Sequence, residues 1–352
     1  MLREAGYRTA LFGAHHDMLD GSRMGFDAVN PGESSPANRN SKMAINTAET
    51  FRIFLEQGGG GDSKPFYAQI GFFETHTPYH HGGVEPDESK GVWIPPYVEE
   101  AAGKHLFKRH SSRGADAFDP VALRRFVAEL QGSLRCADEA VGIILKALRD
   151  RGLAENTLVV FNTDHGVELP RAKWTMYDAG LRVAFILRWP GGGIEGGRVL
   201  DGLRSNVDFL PTLVELTGLP VGHHLDGVSF APALRGGPDQ GRDEVFGLFV
   251  NEELYGVRTD RYKLIRFFQE GSEFDAQGNG ILRRPVQLYD LAVDPLELHD
   301  VSGDPAYADA LAEMNRRLWR WMESVDDPVL RGPIPTPFYQ QARADFQAWA
   351  HR

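Results

Sequence analysis

Residues 157–166 read TLVVFNTDHG. Thr157 to Thr163 is a continuous apolar run rather than an alternating one, and such strands are typical of parallel sheets covered by helices on both faces. The flanks agree. Residues 120–151 carry the apolar spacing of one long amphipathic helix, or two, closing at Gly152, and residues 182–189 form a further apolar strand ended by PGGG at 190–193. Further upstream, 9–12 and 66–73 read as strands and 42–56 as a helix. Leu2 to Tyr7 reads as the last turns of a helix closing at Gly6. Residues 205–217 form a helix with a Ser/Asn cap and a stop at Gly218. Strands alternating with helices predict an α/β fold with a doubly wound, mostly parallel sheet over residues 1–238.

The pattern changes after about residue 235. Short strands at 245–250, 255–259, 262–268 and 286–291 follow without a long helix between them, so residues 239–352 are expected to hold a small antiparallel sheet. A helix at about 305–324 carries Leu311, Met314, Leu318, Trp321 and Met322, and the tail is Pro-rich and then weakly helical. Residues 14–40 and 74–120 read as loops. The second is rich in His, Pro and Gly, and loops of such length are usually functional.

Composition bounds the function. The chain has 352 residues and a net charge of −11, which argues against a general nucleic-acid binder, because a phosphate backbone wants a basic face. A small anionic substrate stays open, since a few local cations can capture one group. No apolar run reaches the roughly 18 residues of a membrane helix. The single Cys136 excludes an intramolecular disulfide and a multi-cysteine zinc site. Its apolar neighbours at helical spacing make it a small core residue. No charged leader followed by an apolar segment is visible at Met1, and GGGG at 58–61 lacks the Lys-Ser/Thr of a phosphate loop.

Chemistry concentrates at strand ends, where ligands of open α/β sheets bind. Asp164-His165-Gly166 follows one strand. A carboxylate beside an imidazole can hold a divalent cation, and it can equally be a turn cap beside a surface histidine. His76 follows a second strand in FETHTP, and His15 and His16 follow a third. Three polar clusters at three strand ends suggest one pocket rim. Lys173 lies between the Asp-His turn and the next strand, as a point charge for an anionic group or as a solvated surface lysine. The His80-His81 and His223-His224 pairs lack the spacing of a helical ligand pair and read as loop residues.

Several stretches together resemble the type I sulfatases of the alkaline-phosphatase superfamily. They are GYRTALFGAHH (6–16), PFYAQIGFFETHTP (65–78), ADEAVGIILKAL (137–148), GLAENTLVVFNTDHG (152–166) and KWTMYDAGLRVA (173–184). NVDFLPTLVELTGLP (206–220), LDGVSFAPALRG (225–236), DRYKLI (260–265) and LYDLAVDPLELHD (288–300) continue the likeness in order, and DPVLRGPIP (327–335) is reminiscent of the heparan N-sulfatase branch. The resemblance implies an alkaline-phosphatase-like fold and hydrolysis of a sulfate ester or sulfamate, with a sulfated saccharide or an aryl sulfate as substrate. It implies that Asp164 and His165 are ligands of a divalent metal, calcium in most of the family. It implies that His76 and Lys173 contact the sulfate, and that His16 sits beside the nucleophile. A phosphodiester or phosphonate hydrolase of the same superfamily, and a non-catalytic binder of sulfated glycans, are the alternatives.

The departures are specific. Many family members have Asn where this chain has His165, and Lys where it has Ala14. The family's Cys/Ser-x-Pro-x-Arg segment, whose first residue becomes formylglycine, has no counterpart here, because Cys136 is followed by Ala137-Asp138-Glu139-Ala140. Its paired acidic metal site on the first strand has none either. The expectation is therefore an N-terminally incomplete sulfatase chain that retains the electrostatic half of the site and lacks the nucleophile.

Overall fold

The computed structural model describes residues 1–15, 21–30, 42–60, 64–77, 79, 82–96, 120–169, 171–173, 175–249, 254–268, 285–331 and 337–350. The turn from Leu2 closes at Gly6, whose φ of +88° is the left-handed conformation a helix-type stop requires. Strand β1 (Arg8–Gly13) then enters the core, with Ala10, Leu11 and Phe12 fully buried. β1 pairs in parallel with β2 (Ala28–Asn30) on one side and β3 (Phe66–Gly71) on the other, in the order β2-β1-β3. The β1–β3 register runs from Arg8 opposite Phe66 to Gly13 opposite Gly71. β2 corrects the reading of 14–40 as loop throughout. It is three residues long, too short to leave a period in the sequence.

Helix α1 (Met43–Glu56) covers this sheet, with Phe51 edge-on to Phe12 at 5.6 Å. Helix α2 (Pro120–Asp150) is one unbroken element of 31 residues. Ala44 and Ala48 of α1 meet Cys136 and Ala140 of α2, each pair one helical turn apart, so small side chains line the contact. Cys136 is thus a core residue, as expected.

The strand of 157–163 pairs differently from the expectation. β4 (Val159–Asn162) runs antiparallel to β5 (Phe185–Arg188), with Phe161 opposite Ile186. An apolar run reports what surrounds a strand and carries no information on its direction. Among the described residues these two strands form a separate pair, and Phe161 and Ile186 are both exposed. The short helix α3 (Asp178–Leu181) lies between them in the chain, and α4 (Phe209–Thr217) and α5 (Ala231–Leu234) follow.

The C-terminal part follows the sequence pattern closely. β6 (Val245–Phe249), β7 (Leu254–Arg258), β8 (Tyr262–Phe267) and β9 (Val286–Asp290) make an antiparallel meander in chain order. Alternation divides its two faces. Tyr255, Val257, Leu264 and Leu288 pack on Met314, Leu318 and Met322 of α6 (Ala308–Ser324) and on Tyr339 and Ala342 of α7 (Pro337–Ala350). Leu254, Ile265 and Tyr289 face the other way, toward Met176. The chain is therefore a mixed α/β fold with a parallel sheet, followed by an antiparallel sheet with helices.

Asp208 fixes the junction before α4. Its buried carboxylate accepts from Ser205 N at 2.9 Å, Val228 N at 2.7 Å and Arg242 Nε at 2.8 Å. Burial alone would raise this carboxyl, but Arg242 and the two amides hold it below the usual range. A depressed carboxylate contributes stability that is present above its unfolded value and lost as pH falls through its folded one. Asp208→Asn is expected to cost about 2–3 kcal/mol at pH 7, the low side of a broken buried pair because Arg242 keeps some contact with water. In thermal or urea melts the gap to the parent should hold down to about pH 5 and narrow progressively as the pH falls below about 4. A gap unchanged at pH 3 would show that the Asp208 charge is not what stabilises this junction.

Candidate active site

The carboxyl ends of β1 and β3 lie side by side. Ala14 N donates to Gly71 O at 3.0 Å. A Cβ at Gly71 would stand 1.8 Å from Ala14 O, and one at Gly13 would stand 2.2 Å from Gly71 O, so glycine is demanded at both strand ends. His15 follows β1 and is half-buried; His16 lies outside the described residues. His80 and His81 lie outside them too. The His223-His224 pair sits in an exposed segment, with His224 Nε2 3.6 Å from Asp226.

After β3, Glu74 is fully buried and its Oε1 accepts from Ala44 N at 2.5 Å, in the first turn of α1. The positive end of the helix dipole favours an anion there. Burial nevertheless raises the Glu74 carboxyl above its ordinary range, against the lowering effect of that bond. His76 is anchored by its N–H to Phe73 O at 2.8 Å and by its ring stacked on Phe73 at 5.2 Å. Its Nδ1 lies 2.7 Å from Thr77 O. A carbonyl only accepts, so Nδ1 donates. Tyr79 holds the far end of this segment. It packs on Phe126 at 4.9 Å, and its carbonyl accepts from Ser133 Oγ at 2.8 Å.

Asp164 and His165 follow β4. Asp164 Oδ1 accepts from His165 N at 2.9 Å, and His165 Nδ1 donates to Gly166 O at 2.7 Å. His165 Nε2 and Asp164 Oδ2 then face one another across 3.4 Å. With Nδ1 protonated both are acceptors, the arrangement a cation bridges. Gly166 is obligatory, because a Cβ there would stand 1.7 Å from Ala179 O. Its N–H donates to Gly180 O at 2.9 Å, which seats the Asp-His turn directly on α3.

Lys173 lies between these two features. Its N–H donates to Val167 O at 3.1 Å, and its Nζ stands 3.5 Å from Glu168 Oε2. The same Glu168 oxygen accepts from Thr77 Oγ1 at 2.5 Å, and Glu168 N donates to Tyr79 Oη at 3.3 Å. Glu168 therefore ties the His76 segment to the Lys173 loop. It was not singled out in the sequence, because a glutamate on a loop four residues past Asp164 carries no spacing signal. Through these contacts the strand ends of β1 and β3 and the loop after β4 form one connected rim.

The rim does not complete a metal centre by itself. Among the described residues no group of three or more His, Cys, Asp or Glu side chains is arranged to hold a metal ion. Asp164 and His165 offer two donors, and the Asp164 side chain is 84% exposed, whereas calcium takes six or more oxygens. No residue of the 352 fits a formylglycine segment either.

The sulfatase family model matches residues 1–219, and the model for the C-terminal part of N-sulphoglucosamine sulphohydrolase matches residues 171–324. An ulvan-active sulfatase of Formosa agariphila is 29% identical over 315 residues, covering 76% of this chain and 53% of that protein. A solved 2-O GAG sulfatase superposes with a TM-score of 0.67 at 25% identity, covering 93% of this chain and 73% of that one. The solved phosphonate monoester hydrolase of Agrobacterium radiobacter superposes with a TM-score of 0.70 at 22% identity, covering 92% and 79%, which shows the shared fold. The chain spans about half the length of the first curated relatives it matches. With the family match running through all the strand ends that build the rim, this chain belongs to the sulfatase family.

Proposed function

We propose that the protein is a hydrolase of sulfate esters or sulfamates and that its substrate is a sulfated saccharide, with sulfated glucosamine as the unit recognised. The observation that carries this reading is the second family match. The stretch that resembles the C-terminal part of N-sulphoglucosamine sulphohydrolase begins in the loop of Lys173 and runs through the whole antiparallel sheet. Substrate selection and the anion site therefore share one continuous piece of chain.

In this reading Lys173 and His76 contact the sulfate and neutralise charge that grows on the leaving oxygen or nitrogen. Fixed charges aimed at that point stabilise the transition state without reorganising. His16 stands beside the nucleophile. Asp164 and His165 are two ligands of a divalent cation, probed most simply with calcium, and the ion would supply Lewis-acid polarisation when bound. The nucleophile itself is no residue of these 352.

A second reading is phosphonate or phosphate ester hydrolysis, favoured by the superposition on the phosphonate monoester hydrolase. Sulfate and phosphate are both tetrahedral, and Lys173 does not tell them apart. The natural gene product, purified with its formylglycine-generating enzyme, separates the two. It is expected to release sulfate from N-sulfated or 6-O-sulfated glucosamine and to act at least ~100-fold less well on a phosphonate monoester, the scale of one specific charge-and-shape contact. The opposite preference would replace the sulfatase reading with the second one. Binding of a sulfated glycan with no turnover of either substrate would replace both.

A further inference from the structure

The loop that carries Lys173 is clamped on its far side by a group of buried charges that the proposed chemistry does not use. Lys263 of β8 is 1% exposed, and its ammonium contacts both Asp178 of α3 and, at 3.0 Å, Glu297, which is 2% exposed. Asp178 also accepts from Arg258 Nε of β7 at 3.2 Å. Its backbone N–H donates to Glu297 Oε2 at 2.6 Å. Arg171, two residues before Lys173, is buried with its guanidinium 4.0 Å above the Tyr177 ring, and it donates to the carbonyl of Glu297.

The backbone is held as tightly as the charges. Arg171 and Glu297 have φ of 59° and 58°, a left-handed conformation that non-glycine residues adopt only where their surroundings impose it. The two strained residues are bonded to each other. Met176 seats over a notch made by Gly247 and Gly256, which are direct partners on β6 and β7. A Cβ at Gly247 would stand 2.9 Å from Met176 Sδ, and one at Gly256 3.3 Å from Met176 Cβ. Gly256, Arg258, Lys263 and Ile265 share one face of the sheet by alternation, and this face receives Met176 and Asp178.

We propose that Lys263, Glu297 and Arg171 are positioning residues, through which the C-terminal sheet fixes where the Lys173 ammonium stands on the rim. This rests on the reading of Lys173 as the cation that meets the substrate anion. The buried arrangement is costly, and that cost is itself informative. Lys263 and Arg258 hold the Asp178 carboxyl below its ordinary range despite burial, while burial holds Glu297 above its own. A well-packed apolar contact would glue the sheet to the loop at least as strongly, so ion pairs here contribute direction rather than net stability.

The test compares Lys263→Met, Lys263→Arg and the milder Arg171→Lys, which keeps the charge and gives up the planar stacking on Tyr177. Two readouts are made on the natural gene product. The first is amide hydrogen exchange. In Lys263→Met and Arg171→Lys, exchange across residues 171–182 should rise by about tenfold or more while amides of β8 and β9 keep their protection, the signature of a local opening. The second is turnover of sulfated glucosamine. kcat should fall by roughly 10–100-fold with KM within about threefold, because a displacement of about an ångström costs on that scale. Lys263→Arg should recover most of it. Exchange that rises equally in the loop and the sheet, or full kcat in Lys263→Met, would overturn the proposal. If Lys263→Met does not fold, Arg171→Lys decides by the same two criteria. Unchanged turnover in a Lys173→Ala control would sink the reading of Lys173 itself, and the exchange arm would still report whether the clamp holds the loop.

Discussion

The 352-residue chain on its own is expected to turn over 4-nitrophenyl sulfate at least ~10⁵-fold more slowly than a sulfatase that carries its nucleophile. Removing the nucleophile of a covalent mechanism typically costs about 10⁶ in kcat, and the surrounding charges alone leave only ~10³–10⁴ over water. The one cysteine is no substitute. Cys136 is buried between α1 and α2, and burial together with the neighbouring Glu74 carboxyl pushes its thiol up to about 11. Such a thiol is protonated at neutral pH, and the thiolate is the reactive form. Asp164 and Glu168, the carboxylates on the loop after β4, are weak nucleophiles toward a tetrahedral sulfur. Purified chain should therefore show no release of 4-nitrophenol above the buffer rate, with or without millimolar calcium. Repeated turnover that follows the protein through a second column, and that disappears in Lys173→Ala, would show that these residues hold a nucleophile of their own.

The elements with a strong period were the legible ones. α1, α2 and the four strands of the C-terminal sheet fall within a residue or two of their expected bounds, because alternation and helical spacing report directly on which face is buried. β2 was missed because three residues hold no period. The pairing of β4 with β5 was misread because Thr157–Thr163 records apolarity and not direction. The tail was underrated as well: Tyr339, Ala342 and Phe346 bring α7 onto the sheet, and Arg266 reaches from β8 to Asp345 at 2.9 Å, an ion pair across 79 positions that no local pattern announces. The same separation hides the clamp, since Asp178 and Lys263 lie 85 positions apart and Asp178 and Glu297 lie 119 apart. Strand-end residues such as His76, Asp164, His165 and Lys173 could be nominated because a sheet delivers its carboxyl ends to one side. What ties them together could not, because Glu168 acts through the tertiary contact with Thr77 rather than through any spacing.

Lys173→Ala in the natural gene product is expected to lower kcat/KM for a sulfated saccharide by about 10²–10³, or ~3–4 kcal/mol, the usual cost of removing one preorganised charge from a transition-state site. The Lys173–Glu168 pair makes the result more specific than a simple loss. The side chain of Lys173 is 12% exposed and that of Glu168 13%, so the 3.5 Å interaction is shielded from water. On the proposed reading of Lys173, a substrate sulfate would compete with Glu168 for the ammonium. Glu168→Gln removes the competing charge and still leaves Thr77 an acceptor, so it should lower KM by a few-fold while leaving kcat within about twofold, because only uniform binding is altered. Lys173→Arg should recover little, since a planar fork cannot occupy the place of a point charge set beside Glu168. The two variants thus move in opposite directions only if Lys173 is shared between Glu168 and the substrate. If Glu168→Gln behaves like Lys173→Ala, Glu168 is part of the catalytic machinery rather than a resting partner. If Lys173→Ala leaves kcat/KM within a factor of about three, the cation that meets the sulfate is another residue, and the loop of Lys173 serves to join the two sheets.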